Sequence, residues 1–421
     1  MTHTINPSSL NYVISAGLSS KPTTGRMVLP KSRSLLTMKP QPQLVLSAAD
    51  IHHTNTSTSV AASSFHISPP PIDQDIPDTV ADEDVVPILD GNDEEALNAF
   101  YNGVAVANLS DFGRIRVSGE DRIQFLQNQT TADFGCLSEG QGIDTVFVTP
   151  TARTIDIAHA WVMKNAITLM VSPGTCESIT SMLTKYIFFA DKVEIHEFTK
   201  ETCFFVLVGP KSCQVMNSLN LSDLVGKPYG THLHYNVNGL PITVGVGSII
   251  SEDGFSMLVS ATAAKSVWNT LLAQGAIPMG SDAWERLRIY EGRPAPGKEL
   301  TQEFNVLEAG FWSSISLKKG CYKGQETIAR LVTYDGVKQK LWGLRLSAPA
   351  EPGSPITVDG KKAGMLTSYA PGMKEFKHVG LGYIKTKAAS EGHTVTVGNN
   401  VSGEVVDVPF LMRQRRKSVH P

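Results

Sequence analysis

Lys318-Lys319-Gly320-Cys321-Tyr322-Lys323-Gly324-Gln325-Glu326 is the stretch on which the reading of this chain turns. It sets one cysteine among three lysines and two glycines. The glycines allow a sharp turn and a close approach of backbone to a ligand. Gln325–Leu331 then reads as a helix, whose first unpaired N–H groups would point back toward Cys321. Nearby cations and a helix N-terminus both favour thiolate, the reactive form of the sulfur. Lys319 and Cys321 lie two apart, so on an extended stretch they share a face, with an ammonium ~4–6 Å from the thiol. The same residues also suit a plain turn with solvated lysines and a half-buried thiol. Gln325 and Glu326 suit a capping role on the helix, and Arg330, one turn on, could balance a carboxylate.

On the C-terminal side the character changes after Lys338. Leu341–Leu346, Ile356–Val358, Val379–Ile384 and Thr394–Val397 are short strands separated by turn signals such as Asp359-Gly360. They predict a small antiparallel barrel over residues 338–412. On the N-terminal side, Val104–Val106 and Arg114–Val117 alternate like strands, and Ser118 with Asp121 reads as a capping box opening a helix to Thr130. Strand character returns at Phe205–Val208 and Ile249-Ile250. Asp282 reads as the cap of a second helix, with Glu285 at its third position, and Gly292 followed by Pro294 stops it. Mixed elements at these spacings indicate an α+β core over residues 98–337.

At 421 residues the chain is too long for one ordinary core. Residues 1–49 hold no Asp or Glu, five bases and many hydroxyls, the pattern of an organelle transit peptide. With few arginines and no clear amphipathic helix, residues 1–72 point to a chloroplast stroma, with the mitochondrial matrix or a disordered leader as alternatives. Residues 73–97 are acidic and read as a linker. Without the leader the bases fall from 37 to 32 and the acids from 40 to 39, a balance of −7. Such a surface does not attract a phosphate backbone, so no stable nucleic-acid partner is expected; the basic run at 413–421 reads as a solvated tail. No apolar run approaches the ~18–20 residues that span a bilayer, so no membrane partner is expected.

The five cysteines form no C-x-x-C pair and suggest neither a disulfide framework nor a zinc site. Cys321 alone cannot hold an iron–sulfur cluster. His232 and His234 share a strand face without a third ligand, so no metal is expected. Dinucleotide loop, P-loop and nucleophile-elbow motifs are absent.

Lys319 to Glu326 resembles the K-G-C-[FY]-x-G-Q-E signature of the YgfZ-type folate-binding proteins. These are relatives of the glycine-cleavage T-protein and serve iron–sulfur proteins. A looser resemblance runs over residues 98–410, and Arg288 to Pro294 is similar to the R-x-x-x-G-x-P helix end of the T-protein relatives. The resemblance implies two α+β domains and a C-terminal barrel around a central opening that receives tetrahydrofolate or a one-carbon-substituted folate. It implies a pterin contact for Glu291, since one carboxylate accepts two adjacent N–H donors. Arg288 would be the ion-pair partner of Glu291 or part of the ligand set, and Tyr322, Gln325 and Glu326 would join that set. Cys321 and Lys319 would act beside the folate, and Asp156 would be the acid near its reactive nitrogens. Asp156 equally suits a strand-edge role on local N–H groups. Ala152-Arg153 and Ile157 stand where T-proteins carry paired glycines and a second acid, a departure that weighs against aminomethyl transfer. The implied function is iron–sulfur assembly or maintenance with client or carrier proteins as partners; the alternatives are a T-protein-type aminomethyl- or methyltransferase and a folate-gated scaffold.

Overall fold

The computed structural model describes residues 92–237, 240–372 and 378–414. The leader expected at 1–72, most of the acidic linker and most of the basic tail lie outside the described residues.

The chain enters through α1 (Asp93–Asn102), whose first turn is Asp93, Glu94 and Glu95. Acids there complement the positive end of the helix, so part of the expected linker is helical instead. β1 (Ala105–Asn108) is followed by β2 (Gly113–Ser118), α2 (Arg122–Gln129), β3 (Gly142–Val148), β4 (Thr154–Val162) and β5 (Ala166–Val171). Next come α3 (Cys176–Lys185), β6 (Glu194–Glu197), β7 (Thr202–Val208), α4 (Ser212–Ser218), β8 (His232–Val237), β9 (Leu240–Val246) and β10 (Phe255–Ser260). α5 (Ala261–Ala273), β11 (Ile277–Met279), α6 (Ser281–Glu291) and α7 (Gln325–Thr333) lead to the C-terminal strands. These are β12 (Gln339–Leu346), β13 (Pro355–Val358), β14 (Lys361–Pro371), β15 (His378–Lys385), β16 (Thr394–Val397) and β17 (Val401–Val406), and α8 (Pro409–Gln414) follows.

β1 and β7–β11 form a six-stranded sheet in the order β11-β1-β7-β10-β9-β8, and β2–β6 form a five-stranded sheet in the order β3-β4-β5-β2-β6. The second α+β unit is therefore inserted between β1 and β7 of the first. Arg114 holds the two crossings together. Its guanidinium, 0% exposed, donates to the carbonyls of Ser110, Phe112, Thr199 and Thr202, where the chain leaves β1 and where it enters β7. β12–β17 close into a six-stranded barrel, as expected. Asp359 and Gly360, at φ 49° and 73°, make the tight β13–β14 hairpin. The barrel and both α+β units share one apolar core, in which Val148, Ile289, Phe311, Leu381 and Phe410 meet. α8 closes that core: Ser313 N–H donates to Gln414 O at 2.8 Å and Ser314 Oγ to Gln414 Oε1 at 2.8 Å.

Three local expectations are corrected. Ser118 ends β2 and Gly119 turns at φ 103°, so Asp121, not Ser118, is the N-cap of α2, and its carboxylate accepts the Lys192 N–H instead of capping the helix. Gly280, not Asp282, is the N-cap of α6, and Asp282 sits in its first turn. Ile249 and Ile250 are buried in the β9–β10 turn, outside any strand. Gly292 does end α6 in the left-handed conformation, at φ 83°.

Gly324 is the N-cap of α7 at φ 81°, and a Cβ there would lie 2.9 Å from both Thr149 O and Val148 Cγ2. Backbone cannot yield as a flexible side chain does. Gly324→Ala should therefore lose roughly 2–4 kcal/mol in a denaturant titration, from left-handed strain plus collision. Gly320 has nothing within 4 Å of its Cβ position, so Gly320→Ala should be close to neutral.

Candidate functional site

A cleft of about 470 Å³ opens between the two α+β units. The β1–β2 connection contributes Leu109 and Phe112, the end of β5 contributes Ser172, and the start of α6 contributes Trp284. Arg288, Arg293 and Lys298 supply positive charge along one wall. Arg288 is already saturated: it donates to both oxygens of Glu285, to Glu299 Oε2 at 3.0 Å, to Arg293 O and to Ser368 Oγ. Arg293 is not. Its guanidinium sits 5.9 Å from the Phe112 ring centre; among the described residues it donates to Ile157 O alone, and its buried Nε has no partner there. Burial pushes this guanidinium down, and Asp156 and Asp144 pull it back.

A second polar group lies where the β3–β4 hairpin, the loop before β8 and the C-terminal helix meet. His159 Nδ1 lies 2.8 Å from Asp144 Oδ1, and Tyr229 donates its hydroxyl to the same oxygen at 2.8 Å. Trp161 donates Nε1–H to His159 Nε2, which leaves the His159 proton on Nδ1, facing Asp144. Burial tends to raise Asp144, but the hydrogen bonds from His159 and Tyr229 and the nearby charge of Arg413 hold it below the usual range. Arg413 covers the Tyr229 ring at 5.3 Å, and its Nε and Nη2 are buried without hydrogen-bond partners among the described residues.

Glu291 ends α6 near Arg413. Its carboxylate is 8% exposed and no hydrogen bond reaches it among the described residues. The sequence expectation of an Arg288–Glu291 pair is therefore corrected: Arg288 points back to Glu285 and across to Glu299. Burial pushes Glu291 from 4.5 up to about 7, against the pull of Arg413 and with help from Asp253. A raised carboxyl favours the protonated folded state, so stability is fully present below about pH 4.5 and falls as pH rises through 7. Glu291→Gln should flatten that slope and gain at most about 3 kcal/mol at pH 8. Denaturant midpoints measured from pH 5 to pH 8 on both proteins check this.

The Cys321 turn is a separate place. None of Cys321, Lys319, Tyr322, Gln325, Glu326, Asp156 or Glu291 lines the cleft; of the residues expected to act together, only Arg288 does. Cys321 is exposed, whereas Lys319 is 8% exposed, so the expected shared face is absent. The Lys319 ammonium turns inward and donates to Gln127 O at 2.8 Å, Thr130 O at 2.6 Å and Ala132 O at 2.5 Å. These are carbonyls at and just beyond the end of α2, which a buried cation satisfies well. Burial drives Lys319 from 10.5 to about 7, opposed by Asp133. Tyr322 is buried in the shared core, and burial pushes its phenol to about 12. Gln325 Oε1 accepts the Tyr322 N–H, fastening the turn, and exposed Glu326 pairs with Arg330 at 2.6 Å.

Asp156 is fully buried and accepts four hydrogen bonds, from Ile157 N, Ser172 N, Ser172 Oγ and Thr175 Oγ1. Two of these donors are backbone N–H groups and two are hydroxyls, and β4 lies between β3 and β5 in its sheet. His232 stacks on Trp161 at 5.3 Å, and burial lowers it to about 4, so it is neutral near pH 7. No metal-ligating group of three side chains exists among the described residues, and no helix among them is long and apolar enough to cross a membrane.

Sequence reasoning missed Phe112, Trp284, Arg293, Arg413 and the Asp144–His159–Tyr229 cluster. The i, i+2 pair His159–Trp161 on one strand face was the available signal.

Comparison with known proteins comes to the same architecture. A model of the GCVT N-terminal domain matches residues 89–319, and one of the glycine cleavage T-protein C-terminal barrel domain matches residues 339–411. An Arabidopsis thaliana protein named "Putative transferase, chloroplastic" is 66% identical over 371 residues, covering 86% of either chain. An aminomethyltransferase of Rubrobacter xylanophilus is 27% identical over 311 residues, covering 73% of this chain and 83% of that one. The crystal structure of aminomethyltransferase T of the Bartonella henselae glycine cleavage system shares the fold at a TM-score of 0.68 and 18% identity, over 77% of this chain and 90% of that one.

Proposed function

Starting from the family to which the chain belongs, that of the GCVT N-terminal domain and the glycine cleavage T-protein C-terminal barrel, we propose that it is a folate-dependent protein of the YgfZ type that assembles or maintains iron–sulfur clusters. The observation that carries this reading is Cys321. Its thiol is exposed on a turn fastened by Gly324 and Gln325, away from the residues that line the cleft. A sulfur so placed is offered to a partner rather than to a bound small molecule.

The cleft suits a folate on physical grounds. Phe112 and Trp284 provide flat apolar faces for its rings, and Lys298 at the wall suits its glutamate carboxylates. In the same wall Arg293 keeps a buried Nε without a partner among the described residues, a donor that an orienting polar ligand would satisfy. Tetrahydrofolate, or a one-carbon-substituted form, would supply a one-carbon unit or an acceptor for one. Aminomethyl transfer is disfavoured because Asp156 has no free lone pair to offer and Ile157 follows it. The acid-free leader, together with a relative named as chloroplastic, supports a stromal location.

Residues 73–421, wild type and Cys321→Ala, expressed in bacteria lacking their own YgfZ, test the reading through a cluster-dependent enzyme under oxidative stress. Wild type is expected to restore activity and the variant to restore none. Failure of soluble wild type would move the assignment to a folate-dependent transferase. Purified protein given methylene-tetrahydrofolate, ammonia and lipoylated carrier is expected to form no aminomethyl product; product at the rate of a T-protein would sink the proposal.

A further inference from the structure

We propose that the Phe188–Phe189 loop and the Cys321 turn form one docking face for an acidic iron–sulfur protein. This rests on the reading of Cys321 as a thiol that meets a partner.

Phe188 is 70% exposed and Phe189 109% exposed, side by side after α3. Contiguous exposed apolar surface marks interaction sites, and aromatic side chains are enriched in protein interfaces. The loop is held in shape: Phe188 N–H donates to Asp191 Oδ2 at 2.8 Å and Asp191 N–H returns to Phe188 O at 2.9 Å. Tyr186 and Ile187, just before it, pack against the core of the five-stranded sheet. The two rings are therefore presented by a fixed turn, which lowers the entropy lost on binding.

Lys323 joins this loop to the cysteine. Its N–H donates to Asn128 O at 2.9 Å, and its ammonium lies 3.9 Å from the Tyr186 ring centre. Lys323 is two residues from Cys321, so thiol, lysine and aromatic loop make one surface. The charge of that surface is positive. Lys185 and Lys318 are exposed and, like Lys323, make no ion pair among the described residues; Glu120 and Glu326 are offset by Lys192 and Arg330, which leaves three lysines against Asp191 and Asp133, whose carboxylates accept from neutral N–H groups. On a chain of net charge −3 this is a local reversal, and it selects a partner that is acidic around an apolar pocket. A bilayer with anionic lipid would also accept aromatics and lysines, but it offers nothing to the thiol beside them.

The test uses purified protein and, as probe, an acidic plant-type ferredoxin in apo and cluster-loaded forms, with phosphatidylcholine–phosphatidylglycerol vesicles in parallel. Wild type is expected to bind ferredoxin with an affinity that falls as salt rises. Phe188→Ser/Phe189→Ser and Lys185→Glu/Lys318→Glu should each raise Kd about tenfold or more while keeping the wild-type melting temperature. No binding of ferredoxin, equal binding by the variants, or Phe-dependent binding to vesicles instead would overturn the proposal. Phe-dependent ferredoxin binding without rescue by wild type would remove the function and leave the docking face. Rescue by wild type and by the Phe188→Ser/Phe189→Ser variant alike would do the reverse.

Discussion

Arg288→Ala is expected to destabilise the protein by about 3–5 kcal/mol, because it strands a buried carboxylate. Glu299 is 0% exposed, and its Oε2 meets Arg288 at 3.0 Å. The other oxygen accepts from Thr367 Oγ1 at 2.7 Å and Ser368 Oγ at 2.6 Å, both on β14 of the barrel. Arg288 itself donates to Ser368 Oγ at 3.0 Å. The arginine therefore ties α6 to the barrel through a carboxylate that has no other cation at ion-pair distance among the described residues. Half-buried Glu285 would lose less when its partner goes, since Lys298 remains 2.5 Å away. A denaturant titration should show the loss in midpoint. The double variant Arg288→Met/Glu299→Gln should lose clearly less than the two single changes added together. Full additivity would mean that the pair does not interact across this interface.

The second large effect is expected at Lys319. Lys319→Ala removes three charge-assisted hydrogen bonds and leaves the carbonyls of Gln127, Thr130 and Ala132 facing a gap, a loss of about 2–4 kcal/mol. Lys319→Met, which keeps the packing and removes the donors, should lose nearly as much. Cys321→Ala, two residues on and exposed, should stay within about 0.5 kcal/mol of wild type. The two positions therefore separate in one experiment: thermal unfolding reports Lys319, and cellular rescue reports Cys321. A stability-silent Lys319→Ala would return Lys319 to the chemistry that the sequence motif suggests for it.

Lys319 also illustrates which features the sequence made legible. Where backbone geometry is settled by neighbours in sequence, the reading succeeds: Gly292 ends α6, and Asp359-Gly360 makes a hairpin. Alternating strands announced the barrel for the same reason, although β14 and β17 were not picked out. Failure sets in where a side chain answers to a distant partner. Lys319 is 187 to 192 residues from the carbonyls that it satisfies, and spacing alone placed it beside Cys321. Arg114 lies in a strand that alternates Arg-Ile-Arg-Val, which suggests an outward arginine, yet its carbonyl partners at the crossing draw it inside. Phe112, Trp284 and Arg293 form a cleft wall only because two sheets meet there. The cysteine motif was legible because its residues are contiguous; the cleft was not, because no two of its walls are.

A ribosome delivers this chain in order, and the insertion of one α+β unit into the other makes that order matter. β1 emerges early but pairs with β7, about a hundred residues later, and with β11, later still. The core around Phe311 stays open until Phe410 and Leu411 arrive, and Ser313 and Ser314 wait for Gln414. For most of its synthesis the nascent chain therefore carries unpaired strand edges and bare apolar surface, the condition in which chaperones hold a protein and proteases find it. A message truncated before codon 409 would yield nearly every residue of the two α+β units and still no finished molecule.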